Sequence, residues 1–340
     1  MTSSAADGPV PPRPFRPHRH RAPADGPVPP RPFRPHRHRA ESPGTRRYRV
    51  IHRTKYRYSD VVTSSYGRGF LTPRDTARQR CLLHELRIEP SADSSVSRDA
   101  YGNLSSYFHV TEPHRDLTVT SISLVEVDSP PADLYDSDSA RAPWETARPV
   151  GPDGALATEF ALDLNPPEIT DEVREYAAPS FLPGRPLIEA LRDLGSRIYT
   201  EFTYRSGSTT VSTGVAAVLA ARSGVCQDFT RLAIACLRAN GLAASYVSGY
   251  LATDPALGEE RVVGIDATHA WAAVWTPGNE WLGLDPTNDQ MVDERYIIVG
   301  RGRDYADVPP LRGIIYTNSD DSAIAVAVDV VPCEGGVLNA

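Results

Sequence analysis

The 340-residue sequence has only four cysteines, a single lysine and no long hydrophobic segment. No apolar run approaches the roughly 18 residues of a membrane-spanning helix, which argues against an integral membrane protein. The cysteines, Cys81, Cys226, Cys236 and Cys333, are widely spaced and form neither a C-x-x-C motif nor a paired framework. The N-terminus also has no apolar segment of the signal-peptide type. We therefore expect a cytoplasmic protein with free thiols and no association with a membrane.

Charge is distributed unevenly along the chain. The net charge is −7, but residues 1–47 hold ten arginines against three acidic residues, so the rest of the chain carries −14. An acidic body is a poor surface for nucleic acid, and we expect none to bind to it. The basic segment contains the repeat ADGPVPPRPFRPHRHRA at 6–22 and 24–40. Because so many prolines remove backbone donors and prevent core packing, residues 1–45 are predicted to be a disordered tail.

The apolar periodicity divides the rest of the chain. Segments such as YRVIHRTKYRYS and LTVTSISLVEV alternate, so 46–130 is predicted to be a domain of several short antiparallel strands. Residues 131–165, rich in Pro, Asp, Ser and Ala, are interpreted as a linker with one anchor, Trp144. The pattern over 166–300 indicates helices followed by strands, and 301–340 indicates a loop and a strand that pack on the body. The predicted fold class is therefore α+β, with an antiparallel β domain preceding a core of helices and antiparallel sheet.

Four helices are predicted at the start of this core. The first follows the N-cap Thr170, and the third, TGVAAVLAARSG, is expected to stop at Gly224. The fourth begins at Cys226 and ends at Asn240–Gly241, a glycine signal for a helix C-terminus. Strands are then predicted in ASYVSGYL, THAWAAVW and EWLGLDPT, and AIAVAVDVV is the last strand.

Cys226 has the sequence surroundings of a nucleophile. At the start of a helix, the positive end of the dipole and free backbone N–H groups favour the thiolate, which is the reactive form. The same N–H groups can donate to a developing oxyanion. A free cysteine is more commonly a small buried apolar residue, and that is our interpretation of Cys236 on the apolar face of the same helix.

A cysteine nucleophile needs a base, and His269 is the only histidine after residue 114. If residues 277–279 form a hairpin loop, Trp271 pairs with Asp285, and Asp285 becomes a diagonal neighbour of His269 on one face. A carboxylate there can accept a hydrogen bond from the ring and stabilise the imidazolium. The alternatives are a core histidine and an aspartate that merely ends a strand at an Asp–Pro turn. The hairpin spacing favours the catalytic interpretation.

Together these residues resemble the transglutaminase-like superfamily. The motifs are SGVCQDF at 223–229, GYL, HAW at 269–271 and WLGLDPTN at 281–288, and similarity of the flanking segments extends over about 46–332. The resemblance implies a papain-like core with an N-terminal β domain of bacterial type. It also implies that Cys226 is the nucleophile, His269 the base and acid, and Asp285 the orienting carboxylate.

The resemblance suggests roles for residues around this triad. Tyr204 is a candidate oxyanion donor or else a core tyrosine, and Trp271 shares the strand face of His269. Gln227 and Asp228 either shape the start of the helix or simply charge its first turn. The sixth motif position is Arg231, where bacterial relatives commonly have histidine, so any role of that histidine is lost or altered.

The implied chemistry is acyl transfer from a peptide or side-chain amide to Cys226, with a protein or peptide substrate and no metal or cofactor. Water then gives hydrolysis and an amine gives transamidation, and we favour hydrolysis. Two other interpretations stay open. One is a non-catalytic interaction module, against which the complete triad argues; the other is a zinc site of Cys226, His269 and Asp285, which lacks the usual ligand spacing. The sequence names neither the substrate nor the oligomeric state.

Overall fold

The computed structural model describes residues 44–152, 154–253, 268–318 and 321–333 and has the predicted α+β architecture. The predicted tail at 1–45 lies outside the described residues except for Gly44 and Thr45. Among the residues described, no helix is long and apolar enough to span a bilayer.

The N-terminal domain is a sheet built around one long strand rather than several short ones. Its strands are β1 (Thr45–Gly69), β2 (Gln79–Glu89), β3 (Ser94–Arg98), β4 (Leu104–Val110) and β5 (His114–Asp128), in the spatial order β2-β5-β1-β4-β3. The N-terminal half of β1 pairs with β5 and its C-terminal half pairs with β4, with an irregularity between Arg57 and Val62. The partner of β1 on this side changes from β5 to β4 along the strand, yet β1 itself continues as one strand.

The second domain packs helices against a five-stranded antiparallel sheet. The helices are α1 (Asp138–Arg141), α2 (Asp171–Ala177), α3 (Leu187–Glu201), α4 (Val215–Ala221) and α5 (Cys226–Ala239). The strands are β6 (Thr203–Tyr204), β7 (Ser223–Gly224), β8 (Ala244–Leu251), β9 (Thr268–Trp275), β10 (Trp281–Asp285), β11 (Gln290–Met291) and β12 (Tyr296–Gly302). The sheet order is β11-β10-β9-β8-β12, and β6 pairs with β7 in a separate parallel ribbon. The predicted apolar face of α5 is buried against β8 and β9, so the sheet positions the helix.

Residues 131–165 are more firmly packed than the predicted linker with one anchor. They contain α1 and single 3₁₀ turns at Leu134–Asp136, Trp144–Ala147 and Thr158–Ala161. Trp144 is buried and donates from Nε1 to the carbonyl of Leu182 at 2.9 Å, but Leu134, Ala140 and Phe160 are buried too. One-turn elements have no periodicity, which is why sequence reasoning found only the tryptophan.

The C-terminal segment returns to the first sheet. β13 (Leu311–Thr317) and β14 (Ser322–Pro332) lie antiparallel to the two halves of β1, with Tyr58 opposite Ser322 and Gly69 opposite Leu311. The predicted last strand is therefore present, and it packs on the body by extending the N-terminal sheet.

Two buried side-chain amides join the two sheets. Gln79 exchanges hydrogen bonds with the backbone N–H and carbonyl of Ile298, both at 2.7 Å. Asn103 makes the same pair of bonds to Arg301, at 2.8 and 2.7 Å. The amides imitate a neighbouring strand and fix the N-terminal domain against β12.

His52 of β1 makes stability depend on pH. The ring is buried between Tyr250 Oη, 3.0 Å from Nδ1, and Thr54 Oγ1, 3.1 Å from Nε2, and burial lowers its pKa from 6.5 to about 4. Below pH 6.5 the unfolded chain takes up a proton that the folded chain refuses, so stability is lost as the pH falls toward 4. The loss reaches about 3 kcal/mol.

The prediction is checked by urea unfolding of wild-type and His52→Gln protein between pH 8 and pH 4. Other acidic groups titrate in both proteins, so the difference between the two curves isolates His52. The wild type should lose stability relative to the variant as the pH falls, and a constant difference would contradict the prediction.

Candidate active site

Cys226 lies at the first position of α5, as predicted, and Asp228 fixes that helix start. The Oδ2 atom of Asp228 accepts hydrogen bonds from the Val225 N–H at 2.9 Å and from Thr209 Oγ1 at 2.6 Å. Asp228 is buried, and a Cβ on Gly224 would lie 2.8 Å from its Oδ2 atom. Asp228 therefore shapes the helix start rather than simply charging it, and Gly224 allows the close approach.

The turn that leads to Cys226 depends on Arg222, a residue that sequence reasoning missed. The predicted stop of α4 at Gly224 is wrong, because the helix ends at Ala221 and Arg222 takes the left-handed conformation with φ 50°. Its guanidinium lies 4.9 Å from the ring centroids of Tyr176 and Phe202 and 2.9 Å from a carboxylate oxygen of Glu201. These contacts stabilise Arg222 in a left-handed backbone conformation that usually favours glycine.

His269 and Asp285 meet across the β9–β10 hairpin. The ladder runs from Trp281 opposite Trp275 to Leu284 opposite Ala272, the predicted register. His269 Nε2 donates to Asp285 Oδ2 at 2.7 Å, and Cys226, at the start of α5, is one of the groups that raise the pKa of the ring. Since Nε2 is engaged by the carboxylate, Nδ1 is the ring nitrogen left for the thiol.

Asp285 is completely buried instead of lying at an open strand end, and four donors surround it. Besides His269, Asn288 Nδ2 and Tyr296 Oη each donate to Oδ2 at 2.7 Å, and the Thr287 N–H donates to Oδ1 at 2.9 Å. Gln290 Nε2 in turn donates to the Tyr296 hydroxyl. The bond from Thr287 is the strand-ending turn expected of an Asp–Pro pair, so the carboxylate both ends the strand and accepts from His269. Asn288 belongs to the WLGLDPTN motif, whereas no sequence signal marked Tyr296.

The electrostatics of the group favour a charged imidazole. Burial would lower the pKa of His269, but the charge and hydrogen bond of Asp285, together with the Cys226 thiolate, raise it to about 10. Burial would raise the pKa of Asp285, but the charge of His269 and the donors around the carboxylate hold it below its ordinary value of 3.8. A protonated ring that is hydrogen-bonded to a carboxylate can stabilise negative charge on a neighbouring sulfur.

The remaining predicted residues have different positions. Tyr204 pairs with Gly224 across β6 and β7, and the pKa of its hydroxyl is raised by burial and, to a smaller extent, by Cys226. Trp271 is buried and packs edge-on against Tyr296 at 5.0 Å between centroids, so it supports the partner of Asp285. Gln227 is half-buried on the first turn of α5, and within the described residues its side chain has no hydrogen bond to His269 or Asp285.

Arg231 joins three segments on the far side of the helix start. It forms ion pairs with Glu168 and, at 3.1 Å, with Asp304, and it donates to the carbonyl of Thr213 at 2.8 Å. The Arg231 side chain is 11% exposed and that of Glu168 is 12% exposed. The position where relatives commonly have histidine therefore holds a buried ion-pair cluster in this chain.

Removing this arginine should destabilise the protein strongly. Arg231→Met leaves two carboxylates without their common cation, and we expect the free energy of unfolding to fall by about 3–5 kcal/mol. Arg57→Met is the matched control, because it breaks an exposed pair with Asp116 and should cost less than about 1 kcal/mol. Urea unfolding of both variants measures the difference, and equal losses would refute the prediction.

Among the described residues, no cluster of three or more His, Cys, Asp or Glu side chains is arranged to hold a metal ion. Histidine and aspartate are instead bonded directly to each other.

Comparisons with known proteins agree with this architecture. Residues 48–126 match the bacterial transglutaminase-like N-terminal region, and residues 175–286 match the transglutaminase-like superfamily core. An uncharacterized protein of Mycobacterium tuberculosis is 75% identical over 302 residues, which cover 87% of this chain and 96% of that protein. An uncharacterized Mycobacterium leprae protein is 35% identical over 294 residues, 84% of this chain and 98% of that protein.

A solved structure has the same fold. It is a candidate cysteine protease from Cytophaga hutchinsonii, 18% identical, with a TM-score of 0.63 over 86% of this chain and 95% of that one. The two matched family regions, the shared fold and the Cys–His–Asp group lead to one assignment: this chain belongs to the transglutaminase-like superfamily and has the bacterial N-terminal β domain.

Proposed function

We propose that the protein is a cysteine enzyme that hydrolyses peptide or side-chain amides through an acyl-thioester on Cys226. The observation that carries this proposal is the 2.7 Å bond between His269 Nε2 and Asp285 Oδ2, together with the place of Cys226 at the helix start and its influence on the pKa of the same ring. The same arrangement argues against a non-catalytic interaction module. Binding alone does not require a buried His–Asp pair together with a free cysteine at the start of a helix.

The reaction follows from the charges of the group. The Cys226 thiolate attacks the amide carbonyl carbon, and the oxygen of the tetrahedral intermediate accepts hydrogen bonds from first-turn N–H groups of α5 and from Tyr204. The C–N bond breaks as the His269 imidazolium gives its proton to the leaving amine. The neutral ring then takes a proton from water, which attacks the thioester and breaks the C–S bond. The acid product is released, and the thiolate and imidazolium are restored. Asp285 holds the ring in one orientation throughout.

An amine could replace water in the second half of the reaction and would give transamidation. A panel of peptides with glutamine and with backbone amides, each incubated with and without methylamine, separates the two outcomes by product mass. The proposal expects the hydrolysed acid as the main product even with the amine present. Cys226→Ala should give no product, and Cys81→Ala, which removes a thiol of the N-terminal sheet, should behave as wild type.

Amine-coupled peptide as the main product would replace hydrolysis with transamidation. No product and no covalent adduct on Cys226 across the panel would favour the interaction module instead. A cytoplasmic location and a protein substrate stay predictions of the sequence, and the same panel tests the second of them.

A further inference from the structure

One solvent-facing area of the N-terminal sheet carries aromatic and arginine side chains. None of these residues belongs to the group around Cys226. Paired residues of three strands share this face, which we call the Tyr–Arg face: Tyr66, Arg68, Tyr107, Arg312, Ile314 and Tyr316. The opposite face of β1 and β4 is buried here, since Phe108 packs there against Gly67. Side chains of the Tyr–Arg face therefore contribute nothing to that core.

Large apolar groups are exposed together on the Tyr–Arg face. Ile314 is 65% exposed, Tyr316 52% and Tyr107 45%. The Tyr66 ring lies 6.1 Å from that of Tyr316 and 6.5 Å from that of Tyr107, so the exposed groups form one patch. Contiguous exposed apolar surface of this kind marks an interaction site.

The charges of the face indicate an anionic partner. Arg68 lies directly opposite Arg312 in the β1–β13 ladder, and like charges at such positions destabilise a sheet. Neither guanidinium forms an ion pair with a carboxylate of the described residues, and that of Arg68 stacks on Phe70 at 5.1 Å. In the other half of β1, by contrast, Arg57 is paired with Asp116. A bound carboxylate would supply the missing countercharge.

The edge of the sheet favours a peptide over nucleic acid. In the described part of the chain β13 pairs with β1 alone, so its outer backbone groups can pair with an added strand. Binding of a nucleic acid strand instead needs a groove of cations that follows several phosphates, and two arginines on an acidic body do not provide one.

We propose that β13 and the Tyr–Arg face bind an extended acidic segment of a partner protein. Its backbone adds to the edge of β13, a carboxylate lies beside Arg312, and apolar side chains two and four residues away lie beside Ile314 and Tyr316. The spacing follows from the two-residue period of a strand. This binding does not require the reaction proposed at Cys226.

Fluorescence anisotropy with a labelled peptide carrying Glu, Val and Tyr at alternate positions tests the proposal. The full chain carries Cys226→Ala so that the peptide survives. We expect Arg68→Gln/Arg312→Gln to weaken binding at least about tenfold, as loss of charge-assisted contacts does. Ile314→Ser/Tyr316→Ser should weaken it as well. The control Arg53→Gln/Lys55→Gln removes the same charge from the other half of β1 and should change nothing.

A second readout locates the peptide and excludes binding to the basic N-terminal segment. With benzoylphenylalanine in place of tyrosine, photo-crosslinks should map to residues 311–317. Crosslinks confined to residues 1–43 or to the Cys226 region would overturn the proposal. So would equal loss in the control variant, tighter binding of the Glu→Gln peptide, or binding of oligo-dT in place of the peptide.

The like-charge argument has its own test in the free protein. Arg312→Gln removes the repulsion without removing a described contact, so its melting temperature should rise by about 1–2 °C. A fall in melting temperature would contradict the proposal that the face keeps its charge for a partner.

Discussion

Cys226→Ala and His269→Ala proteins should both lose amide turnover by on the order of 10³-fold or more, and the double variant should be no worse than either. In the proposed mechanism the two side chains act as one nucleophile–base unit, so removing either one disables the other. His269→Ala should also slow alkylation of Cys226 at neutral pH, because the cation that stabilises the thiolate is gone. Turnover with the best peptide of the panel and iodoacetamide kinetics measure the two effects.

The non-additivity is the informative part of this experiment. If the double variant were slower than wild type by the product of the two single effects, the two residues would act independently and the proposed pair would be wrong. Cys236→Ala is a suitable control for the packing of α5, because Cys236 is fully buried on the same helix and burial raises its pKa to about 12.

Asp285→Asn should lower turnover by on the order of 10²–10⁴ while keeping the shape of the site. The carboxylate raises the pKa of His269 to about 10, so without it the imidazolium is lost at a lower pH. A base whose pKa is raised on folding adds stability that is present below pH 6.5 and lost as the pH rises toward 10. The stability difference between wild type and Asp285→Asn should therefore shrink over that interval.

Tyr296→Phe provides the matched control for this prediction. It removes one of the four donors to Asp285 but leaves the charge beside His269, so we expect a much smaller loss of rate. A pH profile of turnover for the three proteins, with melting temperatures from pH 6 to 10, measures both effects. If Asp285→Asn and Tyr296→Phe lowered the rate equally, the charge of the carboxylate would not be what matters.

Local signals were sufficient to predict the His269–Asp285 contact. The short loop at 277–279 fixes the hairpin register, and alternation then puts both side chains on one face. The position of α5 could also be predicted locally. Asn240–Gly241 marks the end of the helix, and the spacing of its apolar residues shows which face packs against the core. A proposed site carried by one helix and one adjacent hairpin leaves few distances that depend on remote parts of the chain.

Features that depend on distant parts of the chain escaped prediction. Tyr296 reaches Asp285 only because β12 pairs with β8, and nothing near residue 296 records that pairing. The long β1 pairs along its length with β13 and β14, which are more than 240 residues away in the sequence. The left-handed Arg222 is held by rings of α2 and of the segment after α3, so its own neighbours suggested a glycine stop instead.

Competitive alkylation tests the central claim most directly. The protein is treated with limiting iodoacetamide near neutral pH, and the modified peptides are mapped while turnover is followed. Cys226 should be labelled first, and turnover should fall in proportion, because burial raises the pKa of Cys81 to about 11 and Cys236 is enclosed in the core. First labelling of Cys81 or Cys333, or full activity in protein alkylated at Cys226, would contradict the assignment of Cys226 as the nucleophile.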